Sequence, residues 1–126
     1  MIQSKKISIF VIEDEQTLVR SLKDKFERTG YEVKTEIDGI KGYSRIVKEK
    51  PNIVILDIIL PGLNGLDILK KLKDNAETKN IPVILLSNVD DEKSMNQGKK
   101  LGAVAYFIKT NVTLNRLIEE IKRHLN

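Results

Sequence analysis

The sequence predicts an α/β fold in which a five-stranded parallel sheet is covered by helices on both faces. Short apolar segments rich in β-branched residues alternate five times with segments of helical periodicity, which is typical of strands joined by right-handed crossover helices. The segment 53–57 is apolar up to its last residue, Asp57, and is flanked by Pro51 and Pro61. It therefore has the pattern of a strand that is buried on both faces.

Five segments are predicted to be strands because they are short and apolar. They are residues 5–12, 31–37, 53–57, 81–87 and 103–108. The first is continuously apolar from Ile9 to Ile12, and the fourth is an apolar run that contains a proline near its start. The second alternates apolar with polar side chains, so we expect it to be less buried than the first.

Five further segments show the spacing of amphipathic helices. They are residues 15–29, 38–50, 64–75, 91–101 and 114–125. In the first, Leu18, Leu22 and Phe26 recur at intervals of four, and a glycine follows as a stop signal. The second is closed by a proline, and leucines recur every three residues in the third. The fourth is the weakest, because only Met95 and Leu101 are strongly apolar, and we expect low local stability there.

The composition excludes several kinds of site. The chain has no cysteine, which excludes disulfides, thiol catalysis and thiolate zinc sites. Its one histidine, His124, lies two residues from the end, which argues against a Ser-His-Asp triad or a multi-histidine metal site. The net charge of +4 is spread along the chain, so direct nucleic-acid binding is not expected. No signal peptide or membrane span is apparent, and a cytoplasmic protein is expected.

Polar residues follow four of the predicted strands. Glu13, Asp14 and Glu15 follow the first, Asp57 ends the third, Ser87 ends the fourth, and Lys109 follows the fifth. If the first and third strands are adjacent, the acids converge at one edge of the sheet. Two carboxylates about 4 Å apart repel by about 4 kcal/mol at an effective dielectric near 20, which implies a cation, and Mg²⁺ suits such oxygen ligands better than zinc. The alternative is that these acids are helix N-caps.

Further motifs stand at the turns between these elements. They are Pro61-Gly62, Asn64-Gly65, Gly102-Ala103, and Tyr106 three residues before Lys109. Together with the acidic pair Glu13-Asp14, with Asp57 and with Ser87, they resemble the receiver domain of two-component response regulators in its single-domain, chemotaxis-regulator-like form. The resemblance extends from the first strand to the last helix. It implies a flavodoxin-like, doubly wound fold with strand order 2-1-3-4-5.

The resemblance also implies a phosphorylation site. Asp57 would accept a phosphoryl group from the phosphohistidine of a sensor histidine kinase or a histidine phosphotransfer protein. Asp14 and Asp57 would bind Mg²⁺ directly, together with the backbone carbonyl of Ile59, and Glu13 would act through water. The domain would catalyse only its own phosphorylation and slow dephosphorylation, as a signalling domain and not as an enzyme that turns over a substrate.

Three further residues take roles in signalling by the same resemblance. Lys109 would pair with the carboxylate and then with the phosphoryl group, and Ser87 would donate a hydrogen bond to a phosphoryl oxygen. Tyr106 would turn inward as the face formed by the fourth helix, fifth strand and fifth helix rearranges for a downstream protein. The alternative for Tyr106 is an ordinary half-buried strand aromatic. Such a domain is expected as a monomer or a phosphorylation-dependent dimer.

Two departures from the family pattern bear on the chemistry. Thr110 follows Lys109 where most of the family has proline, often after a cis peptide bond. A cis bond without proline costs about 3 to 4 kcal/mol, so the sequence leaves open whether this peptide is cis or trans. Ile59 and Val89 occupy the family positions that tune phosphate lifetime. Because both are branched and apolar, we expect them to hinder the attacking water and to prolong that lifetime.

Other functions compete with this one. The expected organisation is a single receiver domain over residues 1–126 with no output domain, but the regulatory domain of a DNA-binding response regulator would have the same sequence pattern. A magnesium-dependent phosphatase with an aspartyl nucleophile would need a second acid at the position of Ile59. A receiver that is folded but never phosphorylated is the remaining alternative, although the acids are intact.

Overall fold

The protein is described by a computed structural model that covers residues 6–88 and 92–125. Strands and helices alternate along the chain as predicted. The strands are β1 Ser8–Ile12, β2 Glu32–Glu36, β3 Ile53–Asp57, β4 Val83–Ser87 and β5 Ala105–Ile108. The helices are α1 Gln16–Arg28, α2 Gly39–Glu49, α3 Gly65–Asp74, α4 Glu92–Lys100 and α5 Leu114–Arg123. The predicted starts of the first strand and of the fourth helix, at residues 5 and 91, lie outside the described residues.

The five strands form one parallel sheet in the order β2-β1-β3-β4-β5. The predicted fold class and strand order are therefore confirmed. β1 pairs with β2 on one side and with β3 on the other, so the chain reverses its direction of winding between β1 and β3. Ligands of doubly wound sheets bind beside this switch point, at the carboxyl ends of the strands.

Each face of the sheet has its own apolar core. Ile9 and Val11 of β1 pack with α1 and α5, whereas Phe10 and Ile12 pack with α2 and α3. This division follows from the alternation of side chains along a strand. Both cores are filled mainly by buried aliphatic side chains, so the central strands β1, β3 and β4 are rigid supports for the residues at their ends.

Among the helices whose N-cap residue the structure describes, three begin at a residue whose side chain accepts a hydrogen bond from the first turn. Asp38 caps α2, Asn64 caps α3 and Thr113 caps α5. In contrast, Glu15 occupies the N-cap position of α1 without a side-chain cap hydrogen bond. The acids after β1 therefore do not serve as caps of α1, and the alternative reading of these acids as N-caps is wrong for this helix.

Helix α4 is held to the sheet by little buried surface. Gly98 is its only buried residue within Glu92–Lys100, and a Cβ atom there would overlap the side chain of Leu85. The weak apolar face predicted for this segment is confirmed.

With 9 to 13 residues each, the helices of the described ranges lack the length and apolarity needed to cross a bilayer.

Candidate functional site

Asp57 is the last residue of β3 and is buried. Its Oδ1 accepts a hydrogen bond from the backbone N–H of Ile59 (3.3 Å), and its Oδ2 accepts one from Lys109 Nζ (2.9 Å). The start of α3 packs directly behind it, because Gly65 N donates to the carbonyl oxygen of Ile58 (2.7 Å). A Cβ atom at Gly65 would overlap the carbonyl oxygen of Asp57. Glycine at this position therefore allows α3 to fix the turn that presents the carboxylate.

Glu13 is also buried, directly after β1. Its Oε2 accepts hydrogen bonds from the backbone N–H groups of Asp14 (2.9 Å) and Glu15 (3.1 Å), and its own N–H donates to the carbonyl oxygen of Glu36 (3.0 Å). Oε1 lies 2.6 Å from Lys109 Nζ, at an ion-pair distance. Within the described part of the chain, Oε1 nevertheless has no hydrogen-bond partner. A buried carboxylate oxygen is therefore left with one shared cation.

The electrostatic environment of Glu13 reflects this shortage of partners. Burial raises the pKa of the Glu13 carboxyl to about 7, against the opposing effects of Lys109 and of the backbone N–H of Glu15. The negative charge of Asp57 adds to the rise. A carboxyl whose pKa is raised by burial and by a like charge is a common property of functional sites.

A third carboxylate completes the cluster. Asp14 is exposed, and one oxygen each from Glu13, Asp14 and Asp57 lie within 4.8 Å of one another. Of these three carboxylates, Glu13 and Asp57 share Lys109 as their close ammonium, and one buried oxygen of Glu13 lacks a hydrogen bond within the described residues. This donor set fits a small divalent cation with oxygen ligands. The expected convergence of the acids after β1 and β3 is confirmed, since these two strands are neighbours.

Lys109 reaches this cluster from the end of β5. Its backbone N–H donates to the carbonyl oxygen of Ser87 (2.8 Å), which extends the pairing of β4 with β5 by one residue. The side chain is 9% exposed. Burial disfavours its charge, but the close carboxylates of Glu13 and Asp57 raise the pKa of the ammonium above its ordinary value. The Lys109–Thr110 peptide is trans, so threonine in place of proline still allows the ammonium to reach Asp57.

The two predicted switch residues lie on β4 and β5. Ser87 is buried at the carboxyl end of β4, and Tyr106 is half-buried on β5, opposite Leu85 in the register. Tyr106 lies against α4, because a Cβ atom at Gly98 would be 3.6 Å from its ring. Their movement on phosphorylation stays a prediction. Val89, the other residue expected to affect phosphate lifetime, lies outside the described residues.

Two features of the structure are not predicted by the sequence analysis. The first is the exposure of Ile59, whose side chain is 65% exposed although it belongs to a continuous apolar run. The second is Glu120, which is buried on α5 and binds Arg116 and His124. The spacing of four residues on each side of Glu120 is the signal from which these ion pairs could have been predicted.

Comparisons with known proteins agree with this geometry. Residues 9–122 match the family model of the response regulator receiver domain. Protein PilH of Pseudomonas aeruginosa is 36% identical over 101 residues, which cover 80% of this chain and 84% of PilH. The response regulator PleD of Caulobacter vibrioides is 35% identical over 101 residues, but this chain spans only 22% of its length.

A solved structure supports the same assignment. The crystal structure of a CheY-like response regulator receiver domain protein from Methanospirillum hungatei superposes with a TM-score of 0.86 at 26% identity. The match covers 96% of this chain and 94% of that one. Sequence, fold and the placement of the acids at the switch point lead to one assignment: the chain belongs to the response regulator receiver domain family of two-component systems.

Proposed function

We propose that this chain accepts a phosphoryl group on Asp57 from a phosphohistidine of a sensor histidine kinase or a histidine phosphotransfer protein, with Mg²⁺ at the acidic cluster. The observation that carries the proposal is the placement of Lys109 Nζ 2.9 Å from Asp57 and 2.6 Å from Glu13, at the carboxyl edge of the sheet. The carboxylate nucleophile, the ammonium and the acids that would bind a cation therefore lie together at this edge of the sheet. The family membership supports the same chemistry.

The transfer itself needs few protein groups. A carboxylate oxygen of Asp57 forms a bond to phosphorus while the bond from phosphorus to the donor's imidazole nitrogen breaks, which gives an acyl phosphate and releases the imidazole. Charge spreads over the phosphoryl oxygens during this step, so pre-positioned positive groups lower its barrier. Lys109 is such a group, because the pKa of its ammonium is raised and its Nζ already contacts Asp57. Ser87, at the end of β4, would donate a hydrogen bond to a phosphoryl oxygen.

Asp14, Asp57 and the backbone carbonyl of Ile59 would hold the Mg²⁺ ion, and Glu13 would act through water. When bound, the ion neutralises charge on the carboxylates and on the phosphoryl oxygens. Glu13 supports this role because its buried Oε1 has no hydrogen bond within the described residues.

The signal would leave through the face formed by α4, β5 and α5. Tyr106 lies between the sheet and α4, and α4 buries only Gly98 there. A helix with so little buried surface shifts at low energetic cost. We propose that Ser87 and Tyr106 couple the phosphoryl group to this face for a downstream protein, in a cytoplasmic monomer or a phosphorylation-dependent dimer. One receiver domain over residues 1–126 remains our expectation for the domain organisation.

The proposal is tested with Mg²⁺ and a small phosphodonor, acetyl phosphate, by measuring the intact mass beside an Asp57→Asn variant. We expect a gain of one phosphoryl group that requires both Mg²⁺ and Asp57. Labelling that persists in Asp57→Asn, or an unlabelled wild-type chain that still binds Mg²⁺, would contradict the proposal.

The lifetime of the phosphoryl group is a separate part of the proposal. The exposed side chain of Ile59 stands beside Asp57, because its backbone N–H is bonded to Asp57 Oδ1. A branched apolar group there hinders an attacking water, so we expect Ile59→Asn to speed autodephosphorylation several-fold. The decay of the phosphorylated mass with time measures this, and an unchanged rate would refute it.

A further inference from the structure

An exposed apolar surface lies next to the phosphorylation site. Among residues 6–88 and 92–125, five large apolar side chains are exposed. Three of them follow β2 or β3 at the carboxyl edge of the sheet: Ile37 (50% exposed), Ile40 (60%) and Ile59 (65%). We call these three side chains the isoleucine patch. Grouped apolar exposure of this kind marks interaction sites more often than scattered single residues do.

The two segments that carry the isoleucine patch, the end of β2 with the start of α2 and the loop after β3, are fixed to each other. Gly39 N donates to the carbonyl oxygen of Pro61 (3.0 Å), and a Cβ atom at Gly39 would overlap the backbone of Leu63. The loop after β2 therefore packs directly on the loop after β3. The carboxylate of Glu36 accepts hydrogen bonds from the N–H groups of Ile37 (3.1 Å) and Asp38 (3.4 Å). The isoleucines thus stand on a pre-organised backbone, which lowers the entropy cost of binding.

The patch is continuous with the route to Asp57. Ile59 is two residues beyond the acceptor, and its N–H is bonded to Asp57 Oδ1. Asp57 is buried, so a phosphohistidine that reaches it brings the donor's surface against the surrounding loops. The chain's own histidine, His124, is paired with Glu120 beyond the far end of α5. The donor histidine is therefore not one of residues 1–126, and the isoleucine patch lies where the domain that carries it approaches.

Building on the proposed function, we propose that the isoleucine patch is a docking surface for the phosphohistidine-bearing protein, which covers it with an apolar face beside its histidine. The size of the patch favours this occupant over a second copy of the chain. Three partly exposed isoleucines offer a few hundred Å² of apolar surface, whereas stable dimers bury about 800 Å² on each partner. A small contact suits a donor that must leave after transfer.

The test compares a protein donor with a small one. Histidine kinases of the source organism are purified and autophosphorylated with radiolabelled ATP, and the kinase that labels the wild-type chain fastest serves as the probe. The variant is Ile37→Ser combined with Ile40→Ser. Ile59 is kept, because its backbone belongs to the proposed metal site. We expect transfer from the kinase to slow by about ten-fold or more while labelling by acetyl phosphate stays unchanged.

Three controls define the result. Ile37→Leu combined with Ile40→Leu keeps the apolar area and should restore transfer. Val104→Ser removes an exposed apolar side chain from the opposite edge of the sheet and should leave transfer at the wild-type rate. Leu114→Ser removes another exposed apolar side chain, at the start of α5, and should also leave transfer at the wild-type rate. Thermal unfolding of all variants should match that of the wild type, since the replaced side chains are exposed.

Several outcomes would overturn the proposal. They are an unchanged kinase rate in the serine double variant, a loss of transfer in Leu114→Ser alone, and self-association of the wild type that the double variant abolishes without affecting transfer. If acetyl phosphate labels Asp57 but no kinase does, the docking surface is refuted and the chemistry of Asp57 stands. If acetyl phosphate also fails, the proposed function itself is refuted.

Discussion

Glu13 and Glu120 are both buried glutamates, but their surroundings differ. Glu120 Oε1 lies 3.0 Å from Arg116 and 3.6 Å from Arg123, and its Oε2 lies 2.9 Å from His124. Within residues 6–88 and 92–125, Glu13 has Lys109 alone as its close cation, and Asp57 shares it. Burial disfavours the charge of both carboxylates. The partners of Glu120 more than offset it and lower the pKa of its carboxyl, whereas the pKa of Glu13 is raised to about 7.

The comparison teaches how to separate a structural acid from a functional one. A buried carboxylate with several cations has its charge compensated within the fold, and it anchors those cations. A buried carboxylate that shares its one cation with another acid, and that has an oxygen without a hydrogen bond, lowers the stability of the fold until a further ligand binds. On this reasoning Glu120 stabilises α5, and Glu13 is held ready for a ligand.

The largest effect should come from removing the ammonium that Glu13 and Asp57 share. In the proposed reaction, Lys109→Met takes away a positive group that would face the transferred phosphoryl, so we expect labelling by acetyl phosphate at saturating Mg²⁺ to slow by about 100-fold. Time-resolved intact mass measures the rate. Lys73→Met is a matched control, because Lys73 is a partly buried lysine that bonds the carbonyls of Lys79 and Ile81 instead. Equal slowing in both variants would show a general effect of lysine removal.

The next effect concerns the metal. Glu13→Gln keeps the shape of the side chain but removes its charge from the cluster, so we expect the affinity for Mg²⁺ to fall by about ten-fold. Calorimetric titration with Mg²⁺ measures it. Glu120→Gln should leave the affinity unchanged. If the two variants behave alike, the distinction between the two glutamates is lost.

A smaller effect is expected on the free energy of unfolding, and here replacing Glu120 should have the larger effect of the two. Glu120→Gln weakens charge-assisted hydrogen bonds to Arg116 and His124, so we expect the free energy of unfolding to fall by about 1 kcal/mol. Glu13→Gln should lower it less in metal-free buffer, because a poorly compensated charge is removed. Urea denaturation compares the two, with Glu119→Gln as an exposed neighbouring control. A greater loss of unfolding free energy in Glu13→Gln than in Glu120→Gln would contradict the distinction between the two glutamates.

The pH dependence sharpens the comparison further. Although burial opposes ionisation of Glu120, its hydrogen bonds from His124 and Arg116 hold the pKa of this carboxyl below its ordinary value of 4.5. On acidification the unfolded chain therefore takes up this proton first. The stabilisation from this carboxylate is complete above pH 4.5 and is lost as the pH falls through the folded-state pKa of Glu120. The difference in unfolding free energy between wild type and Glu120→Gln should thus be present at about pH 6 and shrink as the pH falls below 4.5. A constant difference would contradict it.

The fold was predictable because its signals are local and repeated. Alternating apolar segments fixed the strands and helices, and the carboxyl ends of parallel strands must share an edge, which placed Asp14, Asp57 and Lys109 near one another. The depth of each side chain was not predictable in the same way. The apolar run continues from Ile58 to Leu60, and this pattern does not show that the turn closed by the Gly65-to-Ile58 hydrogen bond leaves Ile59 exposed.

The same limit applies to the two glutamates. Both stand in charged stretches that resemble solvent-facing sequence, and their burial depends on how α1, α5 and the sheet close around them. The spacing of Arg116, Glu120 and His124 identifies possible partners, but spacing does not tell which of several exposed-looking acids is covered. Tertiary packing decides which acid is buried, and a local sequence pattern does not report tertiary packing.

The thin attachment of α4 has a consequence for how the chain can diverge. Eight of the nine residues of this helix avoid full burial, and the exception is Gly98. Substitutions at those eight positions do not reach the core, so their stability cost is small. Natural drift or deliberate redesign can therefore change the outward sequence of α4, and with it the face proposed to bind a downstream protein, without altering Asp57 and its neighbours.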